Sequence, residues 1–150
     1  MSEARVISAT EVIKADPATI FEHIADPAKQ PSWDGNNNLQ SAEAGHRVTA
    51  AGQMFVMTLT NGKIRENHVT DFEEGRRIAW MPASPGKEPA GHKWAWSLTP
   101  VDGGTEVTHT YDWRELTDEQ RVARARATTT DNLRASVLRL RDLIEAEEAQ

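Results

Sequence analysis

Cysteine is absent from the 150-residue sequence. This absence excludes disulfide bonds, thiol nucleophiles and thiolate zinc sites, and it fits a reducing compartment. The first residues, MSEARVISATEV, lack the basic start and apolar run of a secretory signal, and no apolar stretch approaches the ~20 residues that a transmembrane helix needs. We therefore expect a cytoplasmic protein that does not insert into membranes.

Positive charge is also scarce, because 17 lysines and arginines face 23 acidic residues and the net charge is −6. Nucleic acids favour concentrated positive surfaces, so we expect no nucleic-acid partner. Several arginines do cluster between residues 114 and 141, but acidic residues such as Glu115, Asp118 and Asp131 are interspersed among them. This pattern predicts the solvated face of a helix.

Motifs for common chemistries are missing. The sequence has no glycine-rich phosphate loop and no Gly-x-Ser-x-Gly turn, which argues against nucleotide binding and a serine hydrolase. The histidines His46, His68, His92 and His109 lie too far apart in sequence to form a short ligand pair. We expect no metal and no cofactor.

Tryptophan is abundant, since five of the nine aromatic residues are Trp. Its large ring and single N–H suit pockets as well as cores. Trp33 lies in ADPAKQPSWDGNNN, residues 25–38, a stretch of turn-forming Pro, Asp, Gly and Asn. We expect this ring either to close the end of a core or to border an opening.

Turn signals and alternation predict a sheet preceded by two short helices. Asp16-Pro17 and Asp26-Pro27 each combine an N-cap with a favoured first helical residue. Short alternating segments between turns are typical of antiparallel hairpins. The expected strands cover residues 5–13, 39–44, 53–60, 63–72, 76–82, 92–100 and 105–114.

The chain should end in one long helix. Thr117 and Gln120 fit a capping box, so we expect the helix to begin there. Its second half carries an apolar stripe typical of core packing, formed by Leu133, Val137, Leu140 and Ile144. Small and polar residues, Thr129 among them, replace this stripe in the first half, which predicts the wall of an unfilled space.

Alternation along the strands predicts which side chains face the helix. For residues 63–72 the preferred inward set includes Glu66 and His68, although a bulge near Val69 would reverse the first half of the strand. The outward sets are mainly polar, so we expect no exposed apolar patch. The other inward residues are Phe55, Met57, Leu59, Ile78, Trp80, His92, Trp94, Trp96, Leu98, Val107, His109, Tyr111 and Trp113.

Aromatic and ionisable side chains on one inner face predict a cavity, because burying unpaired ionisable groups in a packed core is costly. Each Trp taken singly could instead be core filling. The catalytic candidates are His109, Tyr111 and His68, although an inward His is as often structural. The ligand-binding candidates are Trp33, Phe55, Met57, Glu66, Trp80, Trp94, Trp96, Trp113, Thr129 and Leu133.

The order of the elements and several motifs resemble the START-like, Bet v 1-type (SRPBCC) superfamily, in particular its polyketide cyclase/dehydrase-like branch. The motifs, which span nearly the whole chain, are Ile20-Phe21 after Asp16-Pro17, DPAKQPSW, GQMFVM, VTDFEEGRRIAW and WAWSLTPVDGGTEVTH. The resemblance implies one α+β domain over residues 1–150 with a helix-grip fold. In that fold a curved seven-stranded antiparallel sheet wraps round a long C-terminal helix, and a ligand cavity lies between them.

Three functions follow from these observations. The preferred one is binding of a hydrophobic or aromatic small molecule in a Trp-lined cavity. The second is a polyketide cyclase or dehydrase, which closes a ring with loss of water and needs a positioned acid and base. The third is an interaction module like chaperone activators, which should expose an apolar patch. The ligand and the oligomeric state stay open.

Overall fold

The computed structural model describes residues 4–149 and contains the predicted seven-stranded antiparallel sheet. The strands follow one another as hairpins, and β1 then pairs with β7, giving the order β1-β7-β6-β5-β4-β3-β2. The predicted helix-grip architecture is confirmed. The strands are β1 Val6–Ile13, β2 Leu39–Ser41, β3 Met54–Leu59, β4 Ile64–Glu73, β5 Arg77–Ala83, β6 Lys93–Val101 and β7 Gly104–Asp112.

A bulge in β4 reverses the preferred facing of its first half. The pairing of β4 with β5 shifts register between Val69 and Asp71. As a result Asn67 and Val69 are buried, whereas Ile64 is 43% exposed. The inward facing preferred for Glu66 and His68 is therefore wrong, and the bulged alternative holds because one extra residue moves every preceding side chain to the opposite face.

Two short helices follow β1, as expected. Helix α1, Pro17–Ala25, begins with proline in its first turn and buries Ile20, Phe21 and Ile24. A 3₁₀ helix, Pro27–Ser32, comes next, and the carboxylate of Asp26 accepts a hydrogen bond from the Ala28 amide at its start.

The expected single C-terminal helix is two helices. Helix α2, Glu119–Ala127, is capped by the carboxylate of Asp118, so the predicted capping box at Thr117 is wrong. Helix α3, Thr130–Glu148, begins after Thr129, which forms a reciprocal capping box with Asn132. The hydroxyl of Thr129 stabilises an extended conformation at this point, because it accepts a hydrogen bond from the Asn132 amide.

The apolar stripe of α3 packs against the sheet as predicted. Its buried residues Val137, Leu140 and Ile144 join a core that includes Ile13, and Leu133 packs in a second cluster with Tyr111. Helix α3 lies across β1 and β7. Within residues 4–149, the structure has no helix long and apolar enough to cross a membrane.

The segment after the 3₁₀ helix docks on α3 through backbone contacts. The Gly35 amide donates to the Ser136 hydroxyl at 3.0 Å, and the Asn36 side-chain amide donates to the Asn132 carbonyl at 2.9 Å. A Cβ on Gly35 would lie 2.4 Å from the carbonyl carbon of Ala135, so glycine permits this approach. The docked segment, residues 34–38, encloses a space between α3 and the sheet.

Candidate functional site: a cavity between sheet and helices

A cavity of about 690 Å³ occupies the space between the inner face of the sheet, α2 and the start of α3. The segment after the 3₁₀ helix forms another of its walls. Eight residues expected to bind ligand or act in catalysis are brought together in its lining: Trp33, Met57, Trp80, Trp94, Trp96, His109, Tyr111 and Leu133.

Four rings on β6 and β7 form a continuous stack, here called the ring column: Tyr111, Trp94, His109 and Trp96. Trp94 lies 4.2 Å from Tyr111 and 5.7 Å from His109 between ring centroids. His109 lies 3.9 Å from Trp96, with 16° between the ring planes. The stack arises because Trp94 pairs with Tyr111, and Trp96 with His109, in the hairpin register.

Trp33 closes one end of this column. Its ring meets Trp96 edge to face with centroids 5.1 Å apart, and its Nε1 donates to the His23 carbonyl at 2.7 Å. The ring is 4% exposed and lines the cavity. Trp33 thus seals the core and borders the opening at the same time, and the polar edge of the indole is satisfied by α1.

His109 is held as a neutral imidazole with a fixed tautomer. Its Nδ1 lies 3.0 Å from the Ala95 carbonyl oxygen, which can only accept, so Nδ1 carries the proton and Nε2 has the lone pair. Burial lowers the pKa of His109 to about 4. Burial also raises the pKa of Tyr111 to about 12. At neutral pH the column therefore offers the uncharged imidazole of His109 and the uncharged phenol of Tyr111.

His92 lies beside the Tyr111 end of the column, with ring centroids 6.0 Å apart. Burial, and then the charges of neighbouring arginines, lower the pKa of His92 to about 4. Two ring nitrogens of lining residues, His92 Nδ1 and Trp96 Nε1, are buried without a hydrogen-bond partner in the part of the chain that the structure describes.

Three arginines also line the cavity: Arg65 from β4, and Arg121 and Arg124 from α2. Burial lowers the pKa of Arg65, and the positive charges of Arg121 and Arg124 lower it further. The interpretation of the α2 arginines as a solvated face is wrong for Arg121, which is half-buried, whereas Arg124 borders the cavity and is exposed as predicted. Their spacing of three residues, which places both on one side of a helix, was the signal in the sequence.

Asp34 is the one acidic residue of the described lining, and its carboxylate is already engaged. It accepts hydrogen bonds from the backbone amides of Asn36, Asn38 and Leu39, at 3.1, 2.6 and 2.9 Å. This carboxylate therefore fixes the segment that carries Trp33 and is not directed at the arginines.

Three candidate ligand-binding residues lie outside the lining: two are buried rings, and the third caps a helix. Phe55 packs edge to face on Trp80 at 5.2 Å. Trp113 belongs to a separate apolar cluster, where the guanidinium of Arg5 lies 4.7 Å from its ring centroid. Thr129 caps α3, and its neighbour Thr128 lines the cavity instead.

Glu66 and His68 lie on the outer face of the sheet, away from the cavity. Glu66 accepts a hydrogen bond from the Gly86 amide at 2.8 Å, outside the lining. On β4 the lining residues are instead Arg65 and Asn67, which sequence reasoning missed because it preferred the unbulged strand.

The outer face also carries an apolar patch that was not expected. Met54, Val56 and Ile64 are 46%, 45% and 43% exposed on the neighbouring strands β3 and β4. The expectation of no exposed apolar patch is wrong here, because the preferred facing of β3 already turns Met54 and Val56 outward and the bulge in β4 adds Ile64.

Comparison with known proteins identifies the family. The family model described as "Polyketide cyclase / dehydrase and lipid transport" matches residues 4–145. The chain belongs to this family. A search of curated proteins finds no match.

Solved structures of other proteins share the fold of this chain. Protein MLL2253 from Mesorhizobium loti is 17% identical, with a TM-score of 0.71 over 95% of this chain and 98% of that one. The Aha1 dimer from Colwellia psychrerythraea is 22% identical, with a TM-score of 0.64 over 93% and 96%. DynU16, a putative protein in the dynemicin biosynthetic locus, is 15% identical, with a TM-score of 0.68 over 95% of this chain and 48% of that one.

These identities establish a shared fold and no more. The family description covers both ring-closing catalysis and lipid transport, so membership supports either a ligand-binding or a cyclase role. The choice between them depends on the residues of the cavity.

Proposed function

We propose that the chain binds an aromatic small molecule in the cavity, stacked against the ring column. The observation that carries this proposal is the interleaving of Trp94 and Trp96 with Tyr111 and His109 along one wall of the cavity. Flat rings presented on a rigid sheet favour a flat, apolar partner, since aromatic pairs gain about 0.5–1.5 kcal/mol beyond their buried area.

The size and polarity of the cavity fit the same function. Small-molecule sites enclose on the order of 300–1,000 Å³ and combine apolar walls with a few polar groups. The cavity has about 690 Å³, and its polar groups include His109, Asn67 and Asn132. An aromatic ligand with one or two polar substituents fits this description.

The protonation states favour binding over ring-closing catalysis. General acid–base catalysis works best with groups whose pKa lies near the working pH. Burial lowers the pKa of His109 to about 4, which makes its imidazole a weak base. Burial raises the pKa of Tyr111 to about 12, which makes its phenol a weak acid. His68, the third catalytic candidate, lies on β4 outside the lining.

Titration calorimetry with 2-naphthamide, an uncharged two-ring probe, tests the proposal. We expect Trp94→Leu to weaken binding about tenfold, because it removes the central ring of the column. The matched control is Trp113→Leu, which removes an indole outside the lining and should leave the affinity of the folded protein within about twofold of wild type. Circular dichroism shows whether each variant is folded.

Two outcomes would overturn this proposal. One is unchanged affinity in Trp94→Leu, and the other is that neither 2-naphthamide nor its carboxylate analogue 2-naphthoate binds the wild-type protein. Should Trp113→Leu fail to fold, Phe72→Leu replaces it, since Phe72 packs on Phe21 at 5.6 Å and neither ring belongs to the lining.

A further inference from the structure

The cavity has one strongly cationic end. Arg121 and Arg124 project from one side of α2, and Arg65 faces them from β4 after the bulge has turned it inward. Three like charges on two elements repel one another and raise the local concentration of anions.

No carboxylate within residues 4–149 forms an ion pair with these three arginines. Arg121 donates to the Ser84 hydroxyl at 3.0 Å, and Arg65 donates to its neighbouring Ile64 carbonyl at 3.1 Å. Some other arginines are paired with carboxylates: Arg47 contacts Glu74 at 2.7 Å, and Arg114 contacts Asp112 at 2.7 Å.

The contrast is informative because acidic residues outnumber basic ones in this chain. The chain therefore has enough acidic residues for one of them to pair with the lining arginines. Asp34 is the acidic residue of the described lining, and its carboxylate accepts hydrogen bonds from three backbone amides instead. The positive charge at the cavity thus has no internal counter-ion among the described residues.

The cationic end and the ring column are ordered along the cavity. His92 and Tyr111 lie together at one end of the column, with 6.0 Å between their ring centroids. After burial, the charges of Arg121, Arg65 and Arg124 act on the pKa of His92, and the charge of Arg124 acts on that of Tyr111. Further along, burial and the Ala95 carbonyl set the pKa of His109. Trp33 and Trp96 close the opposite, apolar end. A ligand lying along the column therefore meets indole rings at one end and guanidinium groups at the other.

We propose that the ligand is an aromatic carboxylate, whose ring stacks on the column and whose carboxylate lies between Arg65 and the two arginines of α2. This inference rests on the proposed function and names its substrate class. Guanidinium groups present planar pairs of N–H donors that match a carboxylate in geometry as well as charge.

The same contact joins two elements that touch little otherwise. Helix α2 packs on the rest of the chain chiefly through Ala125 and the partly buried Val122. A carboxylate that binds Arg65 of β4 and also Arg121 and Arg124 of α2 forms a bridge between the helix and the sheet. Hydrogen exchange of the α2 backbone amides should therefore slow when the anion binds, and slow less with an uncharged analogue.

The test compares 2-naphthoate with 2-naphthamide, which have the same rings and nearly the same shape but differ in charge. In wild type at low salt we expect 2-naphthoate to bind at least about tenfold more tightly. Raising NaCl from about 20 to about 300 mM should weaken 2-naphthoate and leave 2-naphthamide nearly unchanged. In Arg65→Gln and Arg124→Gln the preference for the anion should fall to about threefold or less.

The matched control is Arg126→Gln, the same change on the same helix at a residue outside the lining and near Trp113. It should keep the wild-type preference. Equal affinities of the two probes in wild type would overturn the carboxylate inference and leave the binding proposal in place. An equal loss of preference in Arg126→Gln would also overturn it, because the effect would then come from the general surface charge.

Discussion

The imidazole of His109 lies parallel to the indole of Trp96, with 3.9 Å between the ring centroids. The contact excludes water from one face of the imidazole, while Trp94 stacks 5.7 Å away. His109 is therefore a neutral member of an aromatic wall, oriented by the Ala95 carbonyl. This relationship makes the stability of the fold dependent on pH.

Acid should destabilise the protein through His109. Its pKa is lowered from 6.5 to about 4 in the folded state, so between these values the unfolded chain binds more protons. The stabilisation is fully present above pH 6.5 and is lost as the pH falls toward 4. Urea unfolding at pH 7.5 and pH 4.5 measures the loss of unfolding free energy on acidification. We expect this loss to be about 2 kcal/mol smaller in His109→Gln than in wild type.

His46→Gln is the control for this experiment, because His46 lies at the surface with 59% of its side chain exposed. His92 also has a pKa lowered to about 4, so part of the acid sensitivity should remain in His109→Gln and fall further in the double variant His92→Gln/His109→Gln. If the free energy of unfolding fell by the same amount on acidification in wild type and in His109→Gln, the neutral, buried imidazole would be contradicted.

Asp34 should stabilise the segment that holds Trp33. Its buried carboxylate accepts hydrogen bonds from three backbone amides, and Asp34→Ala removes all three bonds. We expect a loss of about 2–4 kcal/mol in the free energy of unfolding, measured in urea. Asp26→Ala, which removes one such bond to Ala28, should cost only about 1 kcal/mol. Equal costs for the two changes would contradict the assigned role of Asp34.

Gly35 should tolerate no side chain. A Cβ there would lie 2.5 Å from the Ala135 carbonyl oxygen, so Gly35→Ala must move the segment away from α3. We expect Gly35→Ala to destabilise the protein by more than about 2 kcal/mol and to weaken binding of 2-naphthamide. The control Gly62→Ala adds a Cβ in open space at a φ of +85°, and strain alone should cost about 1 kcal/mol there. A milder effect at Gly35 than at Gly62 would be incompatible with the close packing on α3.

The sequence was sufficient to predict the sheet and the ring column. Alternation on β6 and β7 places Trp94, Trp96, His109 and Tyr111 on one face, and the tight turn at Gly103 sets their register. Local pattern and tertiary packing agree in this hairpin, so the prediction of facing was correct.

The sequence was less informative where two local patterns were nearly equivalent. In β4 both faces mix apolar and polar residues, and only the bulge after Val69 decides that Arg65 faces the cavity. At Thr128 and Thr129 the chain could continue a helix or leave it. The bonds between Thr129 and Asn132 favour the break, which gives α2 its own orientation over the cavity.

The cationic end was missed for a related reason. Arginines interspersed with acidic residues along a helix are usually solvated, and residues 114–141 were interpreted as a solvated face for this reason. The spacing of Arg121 and Arg124 places both on one side of α2, but whether that side faces the cavity depends on where α2 lies over the sheet.

The most direct test of the central claim uses the five tryptophans as internal reporters. Each indole Nε1–H gives one signal in a ¹H–¹⁵N spectrum, and four indoles line the cavity while Trp113 does not. Titration with 2-naphthamide should shift the signals of Trp33, Trp80, Trp94 and Trp96 and leave that of Trp113 in place. A spectrum in which no indole signal moves, or in which Trp113 moves as far as Trp94, would contradict an aromatic ligand bound against the ring column.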